Sequence, residues 1–243
     1  MASINSFIRS FKVTISNLDK EKKALKLIAI SDLHRSLAAA KAAAQRISTK
    51  HPNAVLVSGD ISHGDVEEAA RLLETLSAAA VPVFFVPGNM DSPKLSDWSS
   101  ESIKSLHGRC ESFEGYALAG LGGSVHTPFN TPLEFNEHEV SQILNQAASR
   151  CGSERLILVS HCPPRGIRLD KTRMGIHAGS HSVRQFIESR KPVLVVSGHV
   201  HEAQGIDNLG ATVIVNPGPA YAGNYATIEL HDKVQATLSR FEV

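Results

Sequence analysis

The chain has 243 residues, enough for a sizeable hydrophobic core in one large domain or two small ones. Hydrophobic residues make up 42% of it and charged residues 20%, which excludes a disordered chain, a collagen and a disulfide scaffold. The 25 Lys and Arg against 24 Asp and Glu leave a formal charge of +1, so no overall basic field holds nucleic acid.

The first 24 residues carry no uninterrupted apolar stretch of signal-peptide length. We predict that residues 1–24 form an N-terminal extension, in which FKVTIS adds an edge strand, ahead of a single domain over residues 25–243. No later segment is apolar over enough length to cross a bilayer. We therefore expect a cytoplasmic protein without membrane contact. The Ser, Arg and Lys content of the first dozen residues leaves a transit peptide as the alternative.

Six short apolar runs, rich in β-branched residues, each lead into a small residue and then a polar one. Uninterrupted runs of this length are typical of strands that are buried on both faces. The runs are LKLIAI, AVLV, VFFV, LILV, VLVV and TVIV.

Helical patterns lie between these runs, at residues 36–47, 65–79, 137–150 and 180–190. The second begins with Asp65, which can cap a helix, followed by acidic residues in the first turn. Alternation of strands and helices predicts parallel crossovers, and YATIEL and VQATLSR predict a closing antiparallel hairpin. The sequence thus predicts an α/β layered domain.

The three cysteines, Cys110, Cys151 and Cys162, form neither a CxxC pair nor an even-numbered framework. This pattern favours free thiols in a reducing compartment, so we expect no disulfide.

Polar residues with metal-binding side chains follow five of the apolar runs. Ligands of open α/β sheets bind at the carboxyl ends of the strands, so we expect these residues to share one site. They are Asp32, His34, Asp60, Asn89, His161, His199 and His201.

Mixed imidazole and carboxylate donors suit borderline first-row ions, whereas the thiolates typical of structural zinc are not in the pattern. Seven donors exceed what one ion takes from a protein, so two divalent ions with a bridging carboxylate are expected. Such ions lie about 3.5–4 Å apart and stabilise both oxygens of an in-line displacement. Mn is the metal we expect, with Fe, Zn, Co or Ni as alternatives.

Five ordered segments resemble the motifs of the calcineurin-like metallophosphoesterases, in particular the smaller bacterial and archaeal phosphodiesterases. The resemblance covers residues 27 to about 230 and implies a four-layer α-β-β-α sandwich of two mixed sheets flanked by helices. The segments are SDLH (31–34), GD (59–60), GNMD (88–91), SHCPP (160–164) and GHVH (198–201).

The resemblance also implies which residues hold which ion, and that a hydroxide between the ions attacks phosphorus. It assigns Asp32, His34 and His201 to one ion, Asn89, His161 and His199 to the other, and Asp60 to both.

The third motif departs from the family pattern, in which a histidine that protonates the leaving group follows the asparagine. Met90 occupies that position, and a thioether donates no proton. General acid catalysis contributes about 100- to 10,000-fold, and its loss harms poor leaving groups most. We therefore predict phosphodiester substrates, an unknown general acid, and a role for Asp91 in capping the turn.

Three loop residues are candidates for substrate binding: His63, Arg173 and His177. Arg173 ends the basic segment at residues 163–173, which follows a predicted ligand directly and could hold a second phosphate or a nucleotide. His63, His126 and His177 are also candidates to replace the missing acid. For all of these residues, a solvated position in a loop is the alternative.

The sequence therefore predicts a hydrolase of small phosphorylated substrates, with nucleotides among the candidates and with no strong nucleic-acid signature. The first alternative is a phosphomonoesterase or nucleotide pyrophosphatase that uses another general acid. The second is a non-catalytic metal-binding scaffold like the small retromer subunit, which has the same fold and lacks the same histidine. A homo-oligomer remains one of the possible assembly states of the chain.

Overall fold

The computed structural model describes residues 24–243 of the chain. The predicted N-terminal extension and its FKVTIS strand therefore lie, up to residue 23, outside the described residues. None of the helices in residues 24–243 is long and apolar enough to cross a bilayer.

The helices form where the sequence predicts them. Ser36 caps the first by accepting a hydrogen bond from the Ala39 amide, and Asp65 caps the second by accepting one from Glu68. The α-helices of the described residues are α1 (Leu37–Lys50), α2 (Val66–Ser77), α3 (Glu137–Ser149) and α4 (His181–Arg190).

The strands are short, and the central ones are buried along their whole length because both of their faces are covered. They are β1 (Leu25–Ile30), β2 (Ala54–Ser58), β3 (Val83–Val86), β4 (Ile103–Ser105), β5 (Cys110–Phe113), β6 (Tyr116–Leu121), β7 (Ser124–Val125), β8 (Glu134–Phe135), β9 (Arg155–Ser160), β10 (Leu194–Val196), β11 (Gly205–Leu209), β12 (Thr212–Asn216), β13 (Asn224–Leu230) and β14 (Val234–Arg240).

Two mixed six-stranded sheets form the centre of the molecule. The first has the order β14-β13-β1-β2-β3-β4, and the second has the order β11-β12-β10-β9-β6-β5. Each contains four parallel strands, β1 to β4 in the first and β6, β9, β10 and β12 in the second. The predicted closing hairpin is the antiparallel pair β13–β14.

Three hydrophobic cores separate the layers. Along β2, Leu56 points between the two sheets and Val57 points towards α2, where it packs in a core with Leu73. Along β9, Val159 points between the sheets and Leu158 points towards the core of α3 and α4. This alternation buries both faces of each sheet, so the expected four-layer α-β-β-α sandwich is confirmed.

The prediction of three free thiols is wrong. Cys110 in β5 and Cys151, just after α3, form a disulfide across a Cα–Cα distance of 5.4 Å, whereas Cys162 is free and buried. The pairing escaped prediction because the two residues are 41 positions apart, and only packing at the edge of the second sheet brings them together. Since disulfides are typical of oxidising compartments, the cysteines no longer support a cytoplasmic location.

Candidate metal centre

Several of the predicted metal-binding residues have an unusual backbone. Asp32, His34, Asp60 and His199 all have positive φ, between 43° and 70°. Such conformations cost energy for residues with a side chain and persist mainly where the surrounding structure enforces them, often at functional sites. They turn these side chains into the space beyond the strand ends.

Two glycines allow the loops that carry these residues to pack closely. A Cβ atom on Gly88 would overlap the Asp60 carboxylate, and one on Gly198 would overlap the hydroxyl of Ser31. Any side chain at these positions would therefore push the loops apart.

One group of donor atoms lies at the ends of β1, β2 and β10. The His201 Nε2 atom is 3.3 Å from Asp32 Oδ1, and the two Nε2 atoms of His34 and His201 are 3.1 Å apart. The His34 Nε2 atom is also 3.6 Å from Asp60 Oδ2. One donor atom from each of these four residues lies within 4.8 Å of the others, so they form a candidate metal site.

A second group lies beside the first. The Asn89 Oδ1 atom is 2.9 Å from His161 Nε2 and 2.8 Å from His199 Nδ1. The His161 Nε2 atom is 3.5 Å from Asp60 Oδ1. Asp60 thus presents its two carboxylate oxygens to different groups of donors.

The donor set fits a bound cation. Both carboxylate oxygens of Asp32 are buried and accept no hydrogen bond from the described residues, although buried polar atoms are normally paired. The Nε2 atoms of His34 and His201 are 3.1 Å apart, which is close enough for both to bind one ion. A cation there would satisfy all of these atoms at once.

The adjacent Asp32 carboxylate raises the pKa of His201, whereas burial keeps two other imidazoles of this site neutral. Burial lowers the pKa of His34 to about 4 and that of His199 to about 3, so each has a lone pair free at neutral pH. Burial also raises the pKa of Asp60. For Asp32 it acts in the same direction, but the adjacent His201 and the other nearby imidazoles outweigh it and lower the pKa to about 2.

Other residues orient the imidazoles through their second nitrogen. The Nδ1 atom of His161 lies 2.7 Å from the carbonyl oxygen of Ser58, to which it can donate a proton, leaving Nε2 as the free donor. His34 Nδ1 lies 2.8 Å from His63 Nε2. Of the three residues predicted to bind substrate, His63 therefore contacts the metal-site group directly.

Tyr221 contacts two imidazoles of the site, those of His34 and His201. Its hydroxyl is 3.3 Å from His201 Nδ1, and its ring packs edge-on against the rings of His34 and His201. Tyr221 is not among the site residues predicted from the sequence, because it lies in a glycine-rich turn without a recognisable motif.

A partly buried hydrogen-bond chain orients Asn89. Its amide Nδ2 donates to Thr131 Oγ1 at 3.0 Å, and Thr131 donates in turn to Glu134 at 2.5 Å. Burial would raise the pKa of Glu134, but hydrogen bonds from Thr127 and Thr131 lower it to about 2, so Glu134 is ionised. Because Nδ2 is engaged in this way, Asn89 Oδ1 faces the two histidines.

Asp91 braces the two loops that carry Asp60 and Asn89. It accepts a hydrogen bond from Gly88 within its own turn, as predicted, and also from the amides of Ile61 and Ser62 in the neighbouring loop.

An open cleft of about 730 Å³ lies over the donor atoms. Its lining combines the polar metal-site residues with apolar side chains. It is lined by His34, Asp60, His63, Asn89, Met90, Phe129, Thr131, His199, His201 and Tyr221.

The remaining predicted substrate-binding residues lie outside this lining. The His177 imidazole is paired with the buried carboxylate of Asp170 at 2.7 Å, and its carbonyl accepts a hydrogen bond from Arg165. Arg173 contacts Glu202 through its backbone amide. These bonds fix the basic loop next to the site without placing its charges in the cleft.

The family model for the metallophosphoesterases of the calcineurin superfamily matches residues 20–237. The chain therefore belongs to this family of phosphoesterases, whose members use divalent metals, and the predicted resemblance is confirmed.

One relative is similar to most of the chain. A protein of Methanocaldococcus jannaschii, described as uncharacterized, is 34% identical over 202 residues, which cover 81% of this chain and 89% of the relative.

Solved structures share the fold. The protein TT1561 of Thermus thermophilus superposes with a TM-score of 0.68 at 20% identity, covering 88% of this chain and 99% of that one. A dimetal phosphatase from Danio rerio superposes with a TM-score of 0.58 at 12% identity, covering 89% and 96%. At these identities the likeness concerns the fold alone.

Proposed function

We propose that this protein is a phosphodiesterase with a pair of divalent metal ions at the ends of its parallel strands. Asp32, His34 and His201 are the ligands of one ion, Asn89, His161 and His199 are the ligands of the other, and Asp60 bridges them.

The position of Asp60 is the observation that carries the proposal. Its Oδ2 atom is 3.6 Å from His34 Nε2 in one group, and its Oδ1 atom is 3.5 Å from His161 Nε2 in the other. The backbone amide of Met90 donates to Oδ1 at 2.9 Å and fixes the carboxylate between the groups. A carboxylate held in this way suits a bridge between two ions.

The chain contributes a fixed arrangement of charges and lone pairs. When bound, two ions in such a site supply positive charge for the phosphate oxygens and activate water for an in-line attack. Asp32, whose pKa is lowered to about 2, provides negative charge, Asp60 provides two carboxylate oxygens, and neutral His34 and His199 provide nitrogen donors. Mixed nitrogen and carboxylate donors suit first-row divalent ions, among which we propose Mn, with Fe, Zn, Co and Ni as alternatives.

Met90 is the reason for preferring phosphodiesters. It lines the cleft beside Asn89, where it cannot protonate a leaving group. A monoester dianion has a leaving group that depends strongly on such a proton. We therefore propose a small phosphodiester as the substrate, with nucleotide derivatives among the candidates.

Hydrolysis of bis-p-nitrophenyl phosphate and p-nitrophenyl phosphate with added Mn²⁺ tests the proposal. We expect the diester to have the higher kcat/KM and Asp60→Ala to abolish its hydrolysis. The matched control is Asp232→Ala, which removes an exposed aspartate away from the cleft. A clear preference for the monoester, or full activity of Asp60→Ala, contradicts the proposal.

A further inference from the structure

Exposed aromatic side chains are concentrated at the cleft. The described residues expose six large hydrophobic side chains, and two of them, Phe129 (80% exposed) and Tyr221 (41%), line the cleft. Met90 adds a third apolar side chain beside Asn89. Apolar surface next to a polar site is typical of ligand pockets, in which a few polar groups fix the orientation of an apolar ligand.

Phe129 is presented by a loop that is held in place. Its backbone amide donates to Thr127 Oγ1 at 3.2 Å, and Thr127 donates to the buried Glu134 carboxylate at 2.6 Å. Thr131, two residues after Phe129, is hydrogen-bonded to Asn89. The loop is thereby fastened to the metal-site residues, so Phe129 stands at a defined place beside them.

The charge of the cleft argues against a second anionic group on the substrate. Neither Lys nor Arg is among the residues that line it. Three arginines near the site have other partners, since Arg35 pairs with Glu68, Arg165 donates to the His177 carbonyl and Arg168 donates to the Ile206 carbonyl. A second phosphate or a carboxylate would therefore find no cationic partner among the residues that line the cleft.

We propose that Met90, Phe129 and Tyr221 form a subsite for an uncharged aromatic group of the phosphate ester, such as an aryl group or a nucleobase. The subsite rests on the proposed function for the position of the phosphate, which lies at the seven donor residues. An aromatic ring would bury apolar surface against Met90 and stack or pack edge-on with the rings of Phe129 and Tyr221.

Binding of two phosphonates tests this subsite without requiring catalysis. Phenylphosphonate and methylphosphonate carry the same anionic head group and cannot be hydrolysed as esters. Calorimetry with the Mn²⁺-loaded protein should give a Kd about tenfold lower for phenylphosphonate, the scale of one aromatic contact. In Phe129→Ala this ratio should fall towards one.

Met174→Ala is the matched control, because Met174 is equally exposed at 85% but lies outside the cleft lining. It should retain the preference of the wild-type protein. Equal affinities for the two phosphonates, or a preference that survives in Phe129→Ala, overturn the subsite. An intact preference in a protein that hydrolyses neither nitrophenyl ester refutes the proposed function and leaves the subsite standing.

Discussion

A single amide, that of Asn89, shows how much the site depends on residues beyond the metal ligands. Its oxygen can face the histidines only while its nitrogen is held by Thr131, which is itself held by ionised Glu134. Loss of such supporting hydrogen bonds typically lowers metal affinity about 10- to 100-fold. The three side chains therefore act as one unit.

The variant Thr131→Val tests this unit, because it keeps the shape of the side chain and removes its hydroxyl. We expect Mn²⁺ affinity, measured by calorimetry, to fall about 10- to 100-fold for the weaker of two binding events. Thr131→Ser restores the hydroxyl and should recover most of the affinity. Thr49→Val, on the exposed end of α1, is the control. Unchanged Mn²⁺ affinity in Thr131→Val would show that Asn89 keeps its orientation without the hydrogen bond to Thr131.

At the level of secondary-structure elements, one carboxylate connects the beginnings of α3 and α4. Glu137, the first residue of α3, accepts hydrogen bonds from the Ser180 hydroxyl and from the amides of His181 and Ser182 at the start of α4. Burial alone would raise the pKa of Glu137, but these hydrogen bonds outweigh it and lower the pKa below its ordinary value. The anion also suits the positive end of the α4 dipole.

This lowered pKa predicts a pH-dependent stability. A group with a depressed folded pKa contributes its full stabilisation above its unfolded pKa, about 4.3, and loses it as the pH falls through the folded pKa. We expect Glu137→Gln to lower the free energy of unfolding by about 1–2 kcal/mol at pH 7. The difference from wild type should shrink at pH 3, as measured by urea unfolding in the presence of a chelator. Glu74→Gln, an exposed glutamate of α2, should change neither value.

The elements and the meeting of the seven polar residues could be predicted from the sequence. Uninterrupted apolar runs predict doubly buried strands, and parallel strands bring their carboxyl ends to one edge. Thr131, Glu134 and Tyr221 could not be found in this way, because they lie in or next to connecting segments without periodic patterns. Positive φ at Asp32 and Asp60 likewise follows from packing between loops, which local sequence does not encode.

At the scale of the whole molecule, the disulfide joins the edge of the second sheet to the helix layer that covers it. Cys110 lies in β5, and Cys151 follows α3. Neither cysteine lines the cleft. The disulfide is therefore expected to support the fold rather than the chemistry.

The double variant Cys110→Ser/Cys151→Ser tests this role. A disulfide that closes a loop of this length typically contributes about 2–4 kcal/mol to the free energy of unfolding. We expect urea unfolding to reveal a loss of that size, with phosphodiester hydrolysis retained below the transition. The control is Cys162→Ser, which replaces the free buried thiol and leaves the disulfide in place. Equal stability of the double variant and wild type would contradict a formed disulfide.

The sandwich brings seven donors from five strand ends to one place, and the central claim is that they hold two ions bridged by Asp60. Quantification of Mn per chain by mass spectrometry, after loading and removal of free metal, tests it most directly. We expect about two ions per wild-type chain and a loss of bound Mn in Asp60→Ala. One ion per chain or fewer in the wild-type protein would contradict it.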